Sequence, residues 1–310
     1  MSEIAKQVPA AEFPVADVET PFQRFRADFF ESRVAVVSLA VLGIIVFIAL
    51  FAPLISPTNP YDLTTVSILD SKLPPGSKSM SGVTYLLGTD GAGRGLLSSI
   101  FYGLRISLGV GVASAIFALC IGASIGLIAA YYGGRTDTII MRIVDIQLSF
   151  PAILVALILL AVLGKGIDKI IIALVIVQWA YYARTVRASA LVERNKEYVE
   201  AATCLALGDK RILFRHLLPN CMPPLIVVGT VQTAHAISLE ATLSFLGLGV
   251  VPPEPSWGSM LNTGCSHLST APHLTLFPGL AIMLVVLGFN FLGDGLRDML
   301  DPKLKKSRKN

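Results

Sequence analysis

Charge is scarce in this 310-residue chain: 15% of its residues are Asp, Glu, Lys or Arg, against 54% hydrophobic, and the mean hydropathy is +0.69. So lean a polar complement excludes a disordered chain and an ordinary soluble globule. Cysteine is scarce too. The four, Cys120, Cys204, Cys221 and Cys265, are scattered with no internal pair placed to bridge, which excludes a disulfide scaffold. Histidine numbers only four and no Cys/His cluster has ligand spacing, so no metal site is expected. There is no Gly-x-x-x-x-Gly-Lys-Ser/Thr segment, hence no P-loop to cradle nucleotide phosphates. An excess of 25 basic over 21 acidic residues is too small to argue for nucleic acid. Acidic residues Glu3, Glu12, Asp17 and Glu19 and the lack of a small-residue cleavage site argue against a secretory signal peptide, leaving the first span to direct insertion.

What the chain has in quantity is uncharged, apolar sequence. Runs occur at Val34 to Ser56, Ile106 to Gly134, Ile146 to Gly164, Ile170 to Ala183, Leu217 to Leu239 and Leu274 to Gly293. A helix crossing a roughly 30 Å hydrocarbon core needs ~20 residues, so five runs suffice alone. The fourth, of 14 residues, becomes a span if Lys169 and Arg184 snorkel to opposite interfaces. With six spans and a cytoplasmic N-terminus, 19 of the 25 basic residues fall inside and 6 outside, a positive-inside pattern that dropping the fourth span would invert. The expectation is an all-α membrane protein of six transmembrane helices with both termini cytoplasmic.

The chain then divides into a cytoplasmic segment 1–33, a first span 34–56, an outer loop 57–103, a core of five spans 104–300 and a basic tail 301–310. Phe22, Phe25, Phe29 and Phe30, set between Arg24, Arg26 and Arg33, fit either an amphipathic helix in the inner interface or a plain linker. The cytoplasmic connection 184–216 is the most informative stretch. Its Ala-rich segment 200–206 favours a short helix, Gly208 would stop it, Asp209 would N-cap a second one, and Pro219 suits entry into the next span. Two short helices at about a right angle are expected, either as a docking element for the groove of a soluble partner or as an ordinary loop.

Glu200-Ala201-Ala202 followed by Arg215-His216-Leu217-Leu218-Pro219-Asn220 resembles the EAA motif of ABC importer permeases, and in particular the C-type subunit of the dipeptide, oligopeptide and nickel permease family. The resemblance runs from about Phe25 to Leu304. It includes Leu87-Gly88-Thr89-Asp90 with Gly93-Arg94, Tyr102-Gly103 with Arg105-Ile106-Ser107-Leu108, and Leu148-Ser149-Phe150-Pro151. Further along stand Leu243 to Gly249, Pro255-Ser256-Trp257-Gly258, and Leu292-Gly293-Asp294-Gly295-Leu296-Arg297-Asp298 with Leu300-Asp301-Pro302. It implies a type I importer permease fold in the bacterial inner membrane, a non-catalytic subunit. The implied partners are a homologous permease subunit, two cytoplasmic ATPase subunits that bind the ATP and Mg²⁺, and a periplasmic binding protein that delivers peptide; this chain itself binds no cofactor. The resemblance also implies a coupling set: Glu200 for a charge-assisted contact with the ATPase, Ala201, Ala202, Leu205 and Gly208 for close approach, and Arg215. Two departures stand out. Ala206 occupies the place where the family usually has glycine, and Gly95 follows Arg94 where it usually has aspartate.

Polar residues inside spans are the pathway candidates, since each is costly in lipid. Glu240, with Thr233 and Ser244 on an approximate stripe, would either attract a peptide ammonium or pair with a neighbouring helix. His235 would be an interhelical hydrogen bonder or a ligand. Arg142, three residues before Asp145, is the expected partner of a structural ion pair, and Asn290 with Asp294 a packing or capping pair. His267 and His273 in the outer loop read as solvated surface. Gly122-Ala123-Ser124-Ile125-Gly126 fits the G-x-S-x-G elbow of a serine hydrolase, but equally a G-x-x-x-G helix-packing pattern. A channel or secondary carrier, needing no ATPase, is the other alternative.

Overall fold

The computed structural model describes residues 29–30, 32–62, 66–79, 82–251 and 253–300. The predicted interfacial helix falls largely outside these residues, as does the basic tail. Helix α1 (Arg33–Ile55) is capped by Ser32, whose hydroxyl accepts from the Ala35 N–H. Its buried residues Ala35, Ser38, Leu42, Ala49 and Ala52 form one stripe, while Val37, Ile44, Leu50 and Leu54 face outward, as a lipid-facing edge helix requires. A short 3₁₀ turn (Ile68–Asp70) and a hairpin of β1 (Ser77–Lys78) and β2 (Thr84–Tyr85) follow, with Ser77 paired to Tyr85.

Helix α2 (Leu96–Tyr132) has 37 residues and extends ~55 Å at 1.5 Å per residue. It starts ten residues before the apolar run at Ile106, because the segment from Leu96 is already buried against the rest of the bundle. Its stripe of small residues, Ser107, Gly111, Ser114, Ala115, Ala118, Gly122 and Gly126, lets α5 (Ile167–Glu193) and α7 (Asp209–Phe245) approach closely. A Cβ at Gly122 would overlap the Trp179 carbonyl oxygen, and one at Gly126 the Ala183 carbonyl oxygen, so both positions exclude any side chain.

One expectation about the spans needs correction and another is met by a longer helix than expected. The run Ile146 to Gly164 is not one helix: α3 (Gly134–Ser149) and α4 (Ala152–Leu163) meet at 91°. Pro151 forces the residue before it out of the helical region, and Phe150 accordingly lies at φ −91°, ψ 140°. The 14-residue run at Ile170 is a span as expected, forming the middle of the 27-residue α5, which continues helically past Arg184 to Glu193. Its arginines are held by carboxylates of α3: Arg187 makes a bidentate contact with Asp137 at 2.5 and 2.6 Å. Among the described residues five helices are long and apolar enough to cross a membrane, six if the bent pair counts as one span.

Helices α8 (Trp257–Cys265) and α9 (His273–Leu300) complete the bundle. Ser256 and Ser259 form a reciprocal capping box at the start of α8, which aims the Trp257 indole N–H at the Ile100 carbonyl of α2, 3.0 Å away. At this end Asp90 folds its loop around itself, accepting from the Ala92 and Arg94 N–H groups and pairing with the Arg94 guanidinium at 2.7 Å, while Arg94 also donates to the Pro253 carbonyl. Gly95 takes the N-cap position of α2 with no side chain to cap it. His273 is not simply solvated surface, since its Nε2 is buried against this loop.

Candidate functional site

At the opposite end of the bundle, α5 hands over through Lys196 to a one-sided short helix, α6 (Glu197–Cys204). Its exit is set by Ala206, not Gly208. Ala206 sits at φ 52°, its N–H donates to the Thr203 carbonyl (2.9 Å), and the Leu207 N–H reaches the Ala202 carbonyl (3.2 Å). Those two bonds are the Schellman pattern, in which the left-handed residue is ordinarily glycine. Gly208, at φ −63°, merely precedes α7, and Asp209 is the first helical residue and not its N-cap. The second short helix is therefore the start of the span itself. It joins through a π segment (Ile212–Leu217), where the Leu218 N–H bonds to Leu213, because Pro219 has no N–H and its ring would meet the Arg215 carbonyl.

The faces of α6 differ sharply. Val199 and Ala202 are buried among Ile212, Leu213, Leu217 and Leu225, so Ala202 anchors the elbow instead of offering it, which corrects its place in the predicted docking set. Tyr198 donates to Glu193 (2.9 Å) and accepts from Asn220 (3.2 Å); burial and the neighbouring carboxylate push its hydroxyl up to about 12, so it stays a protonated donor. On the other face Glu200, Ala201 and Gly208 are exposed, and Leu205 is 75% exposed. Arg215, in the π segment, is exposed, as is the adjacent Phe214 at 47%.

A second feature lies between α3, α5, α7 and α9. A half-open cavity of about 700 Å³ is walled by Pro223, Pro224, Val227 and Val231 and carries Tyr181, Arg184, Gln232, His235 and Arg297. Of the pathway candidates only His235 lines it, on the wall and not bridging two helices. Glu240 is completely buried elsewhere, accepting from Ser107 of α2 (2.8 Å) and from Ser244 (2.7 Å), whose oxygen in turn accepts from the Val250 N–H. Thr233 turns back onto the Gly229 carbonyl. The predicted stripe is thus an internal polar joint in this conformation, because the side of α7 that carries Glu240 packs on α2. The residues missed were Arg184, Gln232 and Arg297. The Gln232 backbone carbonyl accepts from the buried Gln178 side chain of α5 at 3.0 Å.

Asp145 pairs with Arg184 at 2.5 Å and not with Arg142, since α3 turns that carboxylate toward α5. Asn290 bonds to the Val286 carbonyl one turn earlier. Ser124 donates to the Cys120 carbonyl in mid-helix, so the strand-to-helix turn required of a hydrolase nucleophile is absent there and the glycines serve packing. All four cysteines are free thiols.

A family model described as binding-protein-dependent transport system inner membrane component matches residues 122–306, and one described as the N-terminal TM domain of oligopeptide transport permease C matches 20–75. The dipeptide transport system permease protein DppC of Haemophilus influenzae is 40% identical over 288 residues, covering 93% of this chain and 97% of that protein. The oligopeptide transport system permease protein OppC of Bacillus subtilis is 42% identical, covering 91% and 88%. The glutathione transport system permease protein GsiD of Pectobacterium atrosepticum is 41% identical, covering 93% of each. Among solved structures, the inward-facing MetNI methionine ABC transporter matches with a TM-score of 0.54 at 19% identity, covering 66% of this chain and 97% of that one. The motifs quoted from the sequence, the elbow they build and these matches agree: the chain belongs to the binding-protein-dependent transport system inner membrane component family, and its fold is that of a type I ABC importer permease.

Proposed function

We propose that this chain is one of two homologous permease subunits of an importer for di- or oligopeptides, with α6 on the cytoplasmic side docked to an ATPase and the Asp90 loop facing a periplasmic binding protein. Two ATPase subunits supply the energy, since this chain carries no phosphate-binding loop of its own. The observation that carries the proposal is the two-faced elbow: Val199 and Ala202 fasten it to the bundle, while Glu200, Ala201 and Leu205 stand free for a partner groove. Closure of the ATPases draws the elbow inward and swings the attached helices as rigid bodies between inward-open and outward-open arrangements. The cavity beside His235, Gln232, Arg184 and Arg297 then forms this subunit's wall of the path, open toward the second subunit. Positive-inside charge and the peptide transporters among the relatives support the sidedness and the substrate class.

The test is Glu200→Arg in the reconstituted complex with labelled dipeptide, a longer peptide, glutathione and a nickel chelate offered in turn. The variant is expected to insert normally but to lose ATPase co-purification and uptake. Uptake at the parental rate would overturn the coupling assignment, and uptake without nucleotide would make the protein a channel or carrier.

A further inference from the structure

The inner end of α2 stops at a pair of tyrosines, and both reach the same carboxylate. Tyr131 Oη donates to Asp209 Oδ1 at 2.9 Å and Tyr132 Oη to Asp209 Oδ2 at 3.0 Å. Their rings are held edge to face, with centroids 5.2 Å apart. Gly133, at φ 63°, ends α2 immediately afterwards, and Arg194 at the end of α5 donates to the Ala130 carbonyl at 2.9 Å. Asp209 is the first residue of α7, where the helix dipole favours a negative charge and both hydroxyl bonds are charge-assisted. Only Gly208 and Leu207 separate it from the Schellman turn at Ala206.

At the far end of the 37-residue α2, the helix is fastened to the outer loop. The Leu96 N–H bonds to the Gly88 carbonyl (2.9 Å), Ser98 Oγ accepts from Thr58, and the Trp257 indole holds the Ile100 carbonyl. The same helix thus ends in a joint to the docking elbow on one side and a joint to the Asp90 loop on the other.

We infer that Tyr131, Tyr132 and Asp209 are positioning residues that make α2 a strut between the two docking faces, so that arrival of the binding protein at one end is felt by the ATPases at the other. This rests on the function proposed above and adds the route by which the two partners sense each other. A helix anchored at both ends transmits a displacement that side-chain contacts in the middle would absorb, and linkage requires the effect to run both ways. Removing the two hydroxyls leaves the rings, the volume and the packing in place while releasing the inner joint.

The experiment uses the complete importer in proteoliposomes, with Tyr131→Phe/Tyr132→Phe as the principal variant and Asp209→Glu and Asp209→Ala beside it. Three quantities are read: ATP hydrolysis without binding protein, its stimulation by peptide-loaded binding protein, and peptide moved per ATP. The double phenylalanine variant is expected to assemble and hydrolyse ATP unstimulated at the parental rate, yet to lose about fivefold or more of the stimulation and of the transport ratio. Asp209→Glu is expected to retain much of both, and Asp209→Ala to match the phenylalanine pair. A merely structural contact would lower yield or all three quantities together, which would overturn the inference. Parental stimulation in the double variant would do so as well, whereas loss of the complex in Glu200→Arg alone tests the docking assignment separately.

Discussion

Replacing Ala206 by glycine tests the elbow at its single strained backbone position. An L-residue in the left-handed region carries a cost of about 1–2 kcal/mol that glycine escapes, and Ala206 lies there at φ 52°. Glycine also has more freedom to lose from the open chain, which takes back about 0.4–1 kcal/mol. The net expectation is a closed turn more stable by about 1 kcal/mol, or about fivefold less time spent open. Amide exchange measured by mass spectrometry on peptides covering α6 and the start of α7 reads this directly. The Leu205, Ala206 and Leu207 amides, bonded to Ala201, Thr203 and Ala202, should exchange about fivefold more slowly in Ala206→Gly, while amides of α9 stay unchanged. Valine at the same place, β-branched and worse suited to positive φ, should speed exchange and weaken ATPase co-purification. Unchanged or faster exchange in the glycine variant would refute the assignment of strain to this turn.

Three further outcomes follow from other contacts. Gly122→Val should cost more than about 2 kcal/mol by forcing α2 and α5 apart, seen as lost monodisperse protein, whereas Gly109→Ala, with open space around it, should be silent. A double-mutant cycle on thermal unfolding should find up to about 1 kcal/mol between Asp145 and Arg184, a half-exposed pair, and none between Asp145 and Arg142; the reverse order would overturn the placement of α3. Glu240→Gln should keep folding and uptake, because an amide oxygen still accepts from Ser107 or Ser244, while Glu240→Ala should lose protein yield through an emptied, unsatisfied site; loss of uptake without loss of yield would return Glu240 to the pathway.

The long apolar runs were legible because lipid demands an uninterrupted uncharged stretch: α1 follows its run closely, while α2 and α9 contain theirs and extend beyond them. The bend at Pro151 was not, since a count of apolar residues sees Phe150-Pro151 as two more of the same, although the rule for residues before proline stood in plain view. The elbow's position was readable from its residues, but its turn was assigned to Gly208 by the habit of ending helices on glycine; the backbone bonds chose Ala206 two residues earlier. Spacing of three made Arg142 the partner for Asp145, yet a neighbouring helix offered Arg184 with better geometry, and no local pattern encodes which helix will be adjacent. Glu240 illustrates the same limit: a carboxylate in a span signals importance, and only packing tells whether it faces water or two serines.

The kink at Phe150 and Pro151 also governs how many times the polypeptide changes compartment. α4 has 12 residues and covers ~18 Å, well short of a bilayer's hydrocarbon thickness, so the bent pair either crosses with the help of flanking residues or a locally thinned membrane, or dips in and returns. Were the bent pair to dip in and return, every later segment would swap sides and the elbow would emerge opposite its motor. One proline therefore sits at the point on which the parity of the whole insertion depends.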